Sequence, residues 1–401
     1  MEKYLRCVLF LTLSLLLLLP AAAFCQGSQG SIKVGIILPA TGEKAKFGEI
    51  EKKSFEMALE EINAAGGVNG KKLEFLYEDD TGRPDVARSA AEKLITQDQV
   101  AMLGGGYGSS ETFAIAGVAQ QNRVPFLVNT GSDNKITEMK WNYIFRLNQP
   151  VSDYPQGLES FMTDIVKPKT VAILYENTNF GSSGSKEFQE TCKKMNLKVV
   201  LNEGYQSGGI DFKPILVKVK QENPDIVYMI SYLMDASLIM KQSMELRLTP
   251  KMFVGGGAGF TLPEFAQNAG KAANMVFSAT LWYQTLPYPG AKEYYDKFVA
   301  RNKMPTEYHG AEAYSSAYVI ADALKRAKST SPDDVRESLA GTDLMTVFGP
   351  VKFIAYENMT NQNKLPTYLV QWIDGKLELV WPKQTASKPY VYPVDWEKAW
   401  K

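Results

Sequence analysis

Apolar and polar positions follow two different periodicities along most of the chain. Residues 32–38 form a nearly continuous apolar run, which is typical of a strand buried on both faces of its sheet. Apolar residues then recur at the helical spacing i, i+3, i+4 and i+7: Phe55, Ala58, Leu59 and Ile62. Further strands are predicted at 73–77, 100–103 and 125–128, with helices at 85–95 and 111–121. This alternation of strands and helices predicts a parallel sheet with helices on both faces.

The alternation restarts beyond Pro150 and changes character after residue 310. Strands are predicted at 171–175, 198–201, 226–230 and 252–254, with helices at 186–195, 214–221 and 235–246. Two series of similar size predict two doubly wound α/β lobes. A long helix at 310–328 precedes strands at 351–354, 368–372 and 377–380, which we interpret as antiparallel with a hairpin turn at Asp374-Gly375. The tail, which ends in Trp396 and Trp400, is predicted to pack along a surface.

The first 25 residues show the three-part pattern of a secretory signal peptide. Lys3 and Arg6 precede an apolar run at 8–19, which is shorter than the ~20 residues of a membrane-spanning helix. Small residues at 21–23 suit a signal peptidase. Cys25 raises lipid anchoring as an alternative, but Phe24 occupies the position where lipoprotein signals place Gly, Ala or Ser. We therefore expect an exported, periplasmic protein.

The amino-acid composition argues against one class of partner, nucleic acids. Among 401 residues, 44 Lys and Arg balance 44 Asp and Glu, so the chain lacks the basic footprint of a nucleic-acid-binding protein. We therefore expect no nucleic-acid partner. Cys192 shares a helical stripe with Phe188 and Met195, which predicts a packing role rather than a reactive thiol.

The residue inventory also argues against catalysis and against a bound metal. His309 is the only histidine, so no histidine triad and no multi-histidine metal site is available, and we expect a structural or surface role for it. The Gly-rich segment 104–110 resembles a dinucleotide fingerprint but has Ser109 at the third glycine position. The acidic run 78–80 lacks partners at ligand spacing. We expect no cofactor, no metal and no enzymatic activity.

Two segments that follow neighbouring strands offer groups for binding an anion. Ser109 and Ser110 open a helix, where free backbone NH groups and hydroxyl groups suit a carboxylate or a phosphate. The next strand is followed by a similar loop at 129–132, which contains Thr130 and Ser132. Open α/β sheets bind ligands at the carboxyl ends of their strands, which favours a ligand site here. Ordinary helix capping by serine is the alternative that these residues leave open.

Several segments together resemble the periplasmic solute-binding proteins of branched-chain amino-acid ABC transporters, the leucine/isoleucine/valine-binding family. They are 32–36 (IKVGI), 60–70 (EEINAAGGVNG), 79–80 (DD), 108–110 (GSS), 180–181 (FG) and 223–228 (NPDIVY). Their order and spacing carry the resemblance from residue 32 to residue 375.

The resemblance implies the type I periplasmic binding protein fold, in which two doubly wound parallel-sheet lobes are joined by three crossovers. The first lobe is expected at 31–148 and 279–349, the second at 149–278 and 350–385, and a tail at 386–401. Hinge strands are expected near 146–148, 278–281 and 349–352. The lobes would close on a small-molecule ligand and present a surface to a membrane permease. Members of this family are typically monomers.

The resemblance also implies a set of ligand-binding positions. The carboxylate-binding groups match Ser109, Thr130 and Ser132, with Ser110 adjacent, and the aromatic contacts match Phe47, Phe180 and Tyr232. The family usually has tyrosine where this chain has Phe47 and Phe180.

The main departure from the family lies in the run 255–258 (GGGA), which contributes Gly257 and Ala258 to the expected site. Amino-acid binders place a glutamate near position 257, where it pairs with the ammonium group of the ligand. A buried ammonium group without a counter-charge is costly. Either Asp235 or Glu176 replaces the glutamate, or the ligand has no ammonium group and is an aromatic or short aliphatic carboxylate.

We therefore interpret the chain as the substrate-binding subunit of an ABC importer for an amino acid or a related small carboxylate. One alternative is a receptor of the same fold that signals to a membrane or regulatory partner. A permease and an ATPase encoded beside the gene would favour the importer. A secreted α/β enzyme is the other alternative, against which the single histidine and the lack of a nucleophile-elbow motif argue.

Overall fold

The computed structural model describes residues 30–401, so the predicted signal peptide at 1–25 and Cys25 lie outside the described residues. Within the described part, no helix is both long enough and apolar enough to cross a membrane. The chain forms two α/β lobes, each built on its own seven-stranded sheet, and a separate two-stranded ribbon. The predicted pair of doubly wound lobes is confirmed.

The sheet of the first lobe has the strand order β13-β14-β5-β4-β3-β1-β2. Its strands are β1 (Ile32–Leu38), β2 (Leu73–Asp79), β3 (Met102–Gly105), β4 (Phe126–Val128), β5 (Ile144–Arg146), β13 (Ile354–Tyr356) and β14 (Met359–Gln362). All neighbouring pairs are parallel except β13 and β14, which form an antiparallel edge. The central strands are apolar and fully buried, as a sheet covered on both faces requires.

The sheet of the second lobe has the order β16-β15-β10-β9-β8-β6-β7. Its strands are β6 (Thr170–Glu176), β7 (Lys198–Tyr205), β8 (Ile226–Ile230), β9 (Met252–Gly255), β10 (Phe277–Thr280), β15 (Tyr368–Ile373) and β16 (Lys376–Trp381). Strands β15 and β16 form the predicted antiparallel hairpin, and β15 is also antiparallel to β10. The two strands of the ribbon are β11 (Asp343–Thr346) and β12 (Gly349–Lys352).

Helices cover both faces of each sheet. Those of the first lobe are Ala45–Ala64, Pro84–Thr96, Ser109–Gln121, Lys135–Glu138, Ala291–Asn302, Tyr308–Arg326 and Pro332–Ala340. Those of the second lobe are Gln156–Phe161, Asn179–Lys194, Lys213–Glu222, Leu233–Glu245, Pro263–Ala269 and Trp396–Ala399. Shorter or irregular turns lie at Val151–Asp153, Met162–Val166, Ala258–Phe260 and Gly270–Ala273. The helices Ala45–Ala64 and Tyr308–Arg326 pack side by side, and both contribute residues to the cleft described below.

The chain passes between the two sheets three times, after β5, after β10 and between β14 and β15. The third passage differs from the boundary expected at residue 350. Gly349–Lys352 pairs with Asp343–Thr346 in the ribbon, and residues 354–362 still belong to the first sheet, where Gln362 pairs with Arg146. The sequence pattern shows that a strand forms but not which sheet edge accepts it, so the boundary was placed about a dozen residues too early.

The tail packs against the second lobe, as its aromatic residues predict. Trp396 is 3% exposed, its indole NH donates to the carbonyl of Pro250, and its ring centre lies 5.0 Å from that of Phe253. Cys192 is also fully buried, and burial raises its pKa to about 12, so its thiol is inert.

Replacing Trp396 with alanine should lower the free energy of unfolding by about 3–5 kcal/mol, because it removes a buried aromatic side chain and leaves a cavity. The measurement is urea unfolding followed by far-UV circular dichroism. Val391→Ala is the control, since Val391 lies on the same tail but is 38% exposed, and it should change the stability by about 0.5 kcal/mol or less. A Trp396→Ala protein as stable as the wild type would contradict the docking of the tail.

Candidate functional site

The carboxyl ends of the parallel strands in the two lobes face each other and enclose a small cavity. The first lobe contributes Tyr107, Ser109, Thr130, Ser132, Tyr308 and His309 to its wall, and the second contributes Tyr154, Phe180, Tyr232 and Ala258. The cavity has a volume of about 10 Å³, which is roughly the space of one water molecule. A ligand of amino-acid size therefore enters only when the lobes or the lining side chains move apart.

Ser109 begins the helix Ser109–Gln121 at the wall of the cavity, where it was predicted. Its hydroxyl oxygen accepts hydrogen bonds from the backbone NH groups of Ser132 at 3.2 Å and Asp133 at 3.1 Å. A serine hydroxyl has one proton and two acceptor sites, so these two bonds leave the proton of Ser109 to be donated to a third group. Because Ser109 lines the cavity, a ligand oxygen can be that group.

Ser110 has a different role from the one expected. It does not line the cavity, and its hydroxyl oxygen accepts a hydrogen bond at 3.3 Å from the backbone NH of Asn179, the first residue of a second-lobe helix. Ser110 therefore joins the two lobes at the rim of the cleft.

Thr130 lies between two buried glutamates that the sequence analysis did not identify. Its hydroxyl oxygen is 2.6 Å from Glu51 Oε1 and 2.9 Å from Glu312 Oε2, and the side-chain NH2 of Asn129 donates to it at 2.9 Å. Both glutamates are fully buried. Burial raises the pKa of Glu51 to about 8 and the pKa of Glu312 well above its ordinary value. One signal in the sequence was available, because Glu51 lies four residues after Phe47 and four before Phe55, on the buried stripe of its helix.

Aromatic rings fill most of the space between the lobes, and the three predicted ones are brought together. Phe47 stacks on Tyr107 with ring centres 4.5 Å apart, and Phe180 lies 5.5 Å from Tyr232. The two pairs meet across the cleft, where Phe47 is 6.4 Å from Tyr232 in an edge-on arrangement. Tyr107 was not predicted, because an aromatic residue in a Gly-rich loop carries no periodic signal.

His309 lies in the wall of the cavity and is 1% exposed, so of its two expected roles the surface one is wrong. Its Nδ1 atom is 2.7 Å from Glu307 Oε1. The other oxygen of Glu307 accepts a hydrogen bond at 3.2 Å from the hydroxyl of Thr261, which belongs to the second lobe. The Glu307 carboxylate therefore positions the imidazole and links the lobes at the same time.

Lys44 brings a buried cation to the cleft that sequence reasoning also missed. Its Nζ atom lies 2.9 and 3.1 Å from the two carboxylate oxygens of Glu111, and both side chains are buried. The same ammonium group is 4.7 Å from the ring centre of Tyr232 in the second lobe, a distance at which a cation–π attraction operates. Glu111 neutralises Lys44 within the first lobe, so this cation acts mainly as a contact between the lobes.

A side chain at position 257 would be strained and tightly packed against its neighbours. Gly257 has φ of 80°, in the left-handed region that favours glycine, and a Cβ atom there would lie 3.3 Å from both Tyr154 and the Tyr308 hydroxyl. Ala258 lines the cavity, and its backbone NH donates to the Tyr308 hydroxyl at 2.9 Å. Tyr308 therefore occupies the space beside the position where amino-acid binders have a glutamate.

Neither of the expected replacements for that glutamate lines the cavity. Glu176 accepts hydrogen bonds from the NH and the hydroxyl of Thr178 and from the NH of Gly181, so it caps the helix Asn179–Lys194. Asp235 accepts from the backbone NH of Gly208 at 3.2 and 3.3 Å, and burial raises its pKa to about 6. Both carboxylates are engaged by groups of the second lobe.

A wider recess of about 470 Å³ lies beside the second passage between the lobes, lined in part by Trp282, Tyr283, Glu307 and Trp372. None of the residues predicted to bind the ligand lines it. Among residues 30–401, no group of three or more His, Cys, Asp or Glu side chains could hold a metal ion.

Comparison with known proteins agrees with this architecture. The family model of the periplasmic binding proteins matches residues 31–376. A Leu/Ile/Val-binding protein homolog (homolog 7) of Brucella melitensis is 28% identical, over 96% of this chain and 98% of that protein.

Solved structures of similar shape come from several bacteria. The substrate-binding protein LivJ of Streptococcus pneumoniae, in complex with isoleucine, has a TM-score of 0.78 and 26% identity, with 86% of this chain and 97% of that chain covered. A solute-binding protein of an ABC transporter from Rhodopseudomonas palustris, in complex with benzoate, has a TM-score of 0.78 at 18% identity, covering 90% and 98%, which shows the shared fold. The chain therefore belongs to the periplasmic binding protein family, among the relatives of the leucine/isoleucine/valine-binding proteins.

Proposed function

We propose that this protein is the extracytoplasmic substrate-binding subunit of an ABC importer and captures a small carboxylate, an amino acid or a related acid, between its lobes. The observation that carries the proposal is the hydroxyl group of Ser109. It accepts two backbone hydrogen bonds and lines the cavity, so its proton remains to be donated to a ligand acceptor such as a carboxylate oxygen.

A carboxylate suits this position for electrostatic reasons as well. Ser109 begins a helix of 13 residues, whose N-terminus carries a partial positive charge and NH groups without carbonyl partners in the helix. Ser132 lines the same cavity, and its backbone NH donates a hydrogen bond to the hydroxyl oxygen of Ser109. Hydrogen bonds to an ionised acceptor are roughly twice as strong as neutral ones.

Closure of the lobes provides the second part of the function. Polar contacts between the lobes include the bonds from Ala258 to Tyr308, from Thr261 to Glu307 and from Asn179 to Ser110. A ligand held by both lobes would favour the closed arrangement through its differential affinity for that state. The closed arrangement would then present a continuous surface to the membrane permease. The substrate-binding protein LivJ, which is 26% identical and is bound to isoleucine in its structure, supports binding and release rather than chemical conversion.

Replacing Ser109 or Ser132 with alanine should weaken the binding of the carboxylate by about tenfold or more, because each change removes a hydrogen-bond donor to an ionised group. Isothermal titration with L-isoleucine and with benzoate, whichever binds the wild type, measures the loss. Ser331→Ala is the matched control, since Ser331 caps an exposed helix of the first lobe. Wild-type affinity in both cleft variants would contradict the carboxylate site.

Replacing Tyr308 with phenylalanine should weaken ligand binding by about 2- to 10-fold, since it removes one hydrogen bond that exists only between closed lobes. Small-angle X-ray scattering with saturating ligand should show a larger radius of gyration than for the wild type. Tyr143→Phe serves as the control, because the hydroxyl of Tyr143 bonds to Arg123 and Asp333 within the first lobe. Equal compaction of the Tyr308→Phe and wild-type proteins would show that this bond does not contribute to closure.

A further inference from the structure

The wall of the cavity contains one basic side chain, the imidazole of His309. The other polar side chains in the wall are uncharged hydroxyl groups of serine, threonine and tyrosine. A carboxylate ligand brings a negative charge into this closed space, and burying a charge without a counter-charge is costly. Among the residues that line the cavity, only His309 is able to supply a positive charge.

Neighbouring groups hold the imidazole in one orientation. Its Nδ1 atom lies 2.7 Å from Glu307 Oε1. Its ring centre is 5.0 Å from that of Phe47, 5.3 Å from that of Tyr107 and 3.8 Å from that of Tyr308. The Nε2 atom has no hydrogen-bond partner among residues 30–401. It is therefore the ring nitrogen that remains for a ligand.

The pair formed by Glu307 and His309 has two relevant protonation states. In the state with fewer protons, one proton lies between Nδ1 and the carboxylate, Nε2 presents a lone pair, and the pair carries one negative charge. One further proton makes Nε2–H a donor and the pair neutral. A carboxylate in the cavity is repelled by the first state and accepts a hydrogen bond from the second. This holds whether Nδ1 or Glu307 keeps the proton between them.

A second group beside the imidazole also lacks a partner. Tyr107 lines the cavity and is 4% exposed, and its hydroxyl group has no hydrogen-bond partner among residues 30–401. Ser109 and His309 line the same cavity, whose volume of about 10 Å³ brings its wall groups close together. A carboxylate group there would accept hydrogen bonds from the Ser109 and Tyr107 hydroxyl groups and from Nε2–H.

We propose that His309 binds the carboxylate of the ligand in its protonated form, with Nε2–H as the donor and Glu307 as the group that stabilises the positive charge. This inference rests on the proposed function and adds to it, because it links capture of the acid to the protonation of one side chain. Histidine is the residue whose charge ordinarily changes between pH 5 and 8. A ligand that prefers the protonated state raises the pH at which the imidazole loses its proton. Affinity is therefore highest at low pH and falls as the pH rises.

Two other cations lie near the cleft but do not line the cavity. Lys44 is paired with both carboxylate oxygens of Glu111. Arg146 donates to the backbone carbonyls of Gly131 and Asp133. Both cations are thus engaged by groups of the first lobe.

Other titratable groups surround the imidazole and must be separated from it. Glu51 and Glu312 are buried behind Thr130, and burial raises the pKa of Glu51 to about 8 and that of Glu312 well above its ordinary value. Burial also raises the pKa of Asp80 to about 7 and of Asp235 to about 6. Burial raises the pKa of the tyrosines that line the cavity, which keeps them neutral: Tyr107, Tyr154, Tyr232 and Tyr308. The test must therefore observe His309 itself.

Nuclear magnetic resonance can do so on the wild-type protein, because His309 is the only histidine of the chain. Thermal shift first selects a ligand from L-leucine, L-isoleucine, L-valine, L-phenylalanine, benzoate and 4-hydroxybenzoate. Protein labelled with ¹⁵N-histidine, without a histidine tag, is then titrated with and without that ligand. The ligand should raise the midpoint of the imidazole titration by about one pH unit or more, which corresponds to a tenfold preference for the protonated state. An unchanged midpoint, or an Nε2 atom without a proton in the complex at pH 6, would overturn the proposal.

His309→Gln removes the charge and retains an NH donor. At pH 6 the variant should bind the selected acid about tenfold or more weakly than the wild type does, and the difference should shrink toward pH 8.5 as the wild-type imidazole loses its proton. Isothermal titration measures both affinities. Lys352→Gln is the control, since it removes one positive charge from an exposed ion pair with Asp343, and it should bind as the wild type does at both pH values. Wild-type affinity of His309→Gln at pH 6 would contradict the proposal. Should this variant not fold, the two titration midpoints decide.

The same experiments distinguish a failure of this inference from a failure of the proposed function. An acid whose binding Ser109→Ala weakens, but which leaves the midpoint of His309 unchanged, would preserve the carboxylate site and reject only the role of the imidazole. If none of the six acids stabilises the wild type, the proposed function fails and the inference fails with it.

Discussion

A single hydroxyl group connects the three elements that form the floor of the cleft. Thr130 links the helix Ala45–Ala64 through Glu51 and the helix Tyr308–Arg326 through Glu312, and it does so from the loop that follows a central strand. The two helices pack side by side, and both carboxyl groups are fully buried. Burial raises the pKa of both carboxyl groups. Protonation lets this packing persist, because two ionised carboxylates at this separation would repel each other in a medium of low dielectric constant.

The first lobe is tied together at one buried hydroxyl group, whereas the contact between the two lobes depends on many weak interactions. Two of its hydrogen bonds join Ala258 to Tyr308 and Thr261 to Glu307, each worth about 1 kcal/mol. The remaining contact consists largely of aromatic rings such as Phe47 and Tyr232, which can separate without exposing an unpaired charge. A closed state of this kind is held by a small free-energy difference, so a ligand of moderate affinity is sufficient to determine which arrangement is populated.

The two lobes contribute different kinds of group to the proposed site, and position 257 of the second lobe contributes no side chain because it is a glycine. In the proposed function, the first lobe holds the carboxylate group of the ligand at Ser109 and Ser132 before the lobes close. The second lobe then contributes apolar surface from Phe180 and Tyr232 and excludes water. Excluding water strengthens the interactions that the first lobe has already formed, because the local dielectric constant falls. The lobes therefore close on a ligand whose carboxylate group is already bound.

The sequence by itself determined the elements, the two lobes and the edge at which the site lies, because helical and strand periodicities are local and parallel strands end at a common edge. Ser109, Thr130 and Ser132 lie at the cavity for that reason. The aromatic residues Phe180 and Tyr232, which the resemblance to the family implied, follow strands of the second sheet. Tertiary structure alone decided the rest. Glu51 and Glu312 meet at Thr130 only because two helices distant in sequence pack together. Glu176, which ends strand β6, and Asp235, which lies beyond strand β8, are engaged by neighbouring groups of their own lobe. The third passage between the lobes was misplaced for the same reason, since a strand's pattern shows that it is buried and not which partner buries it.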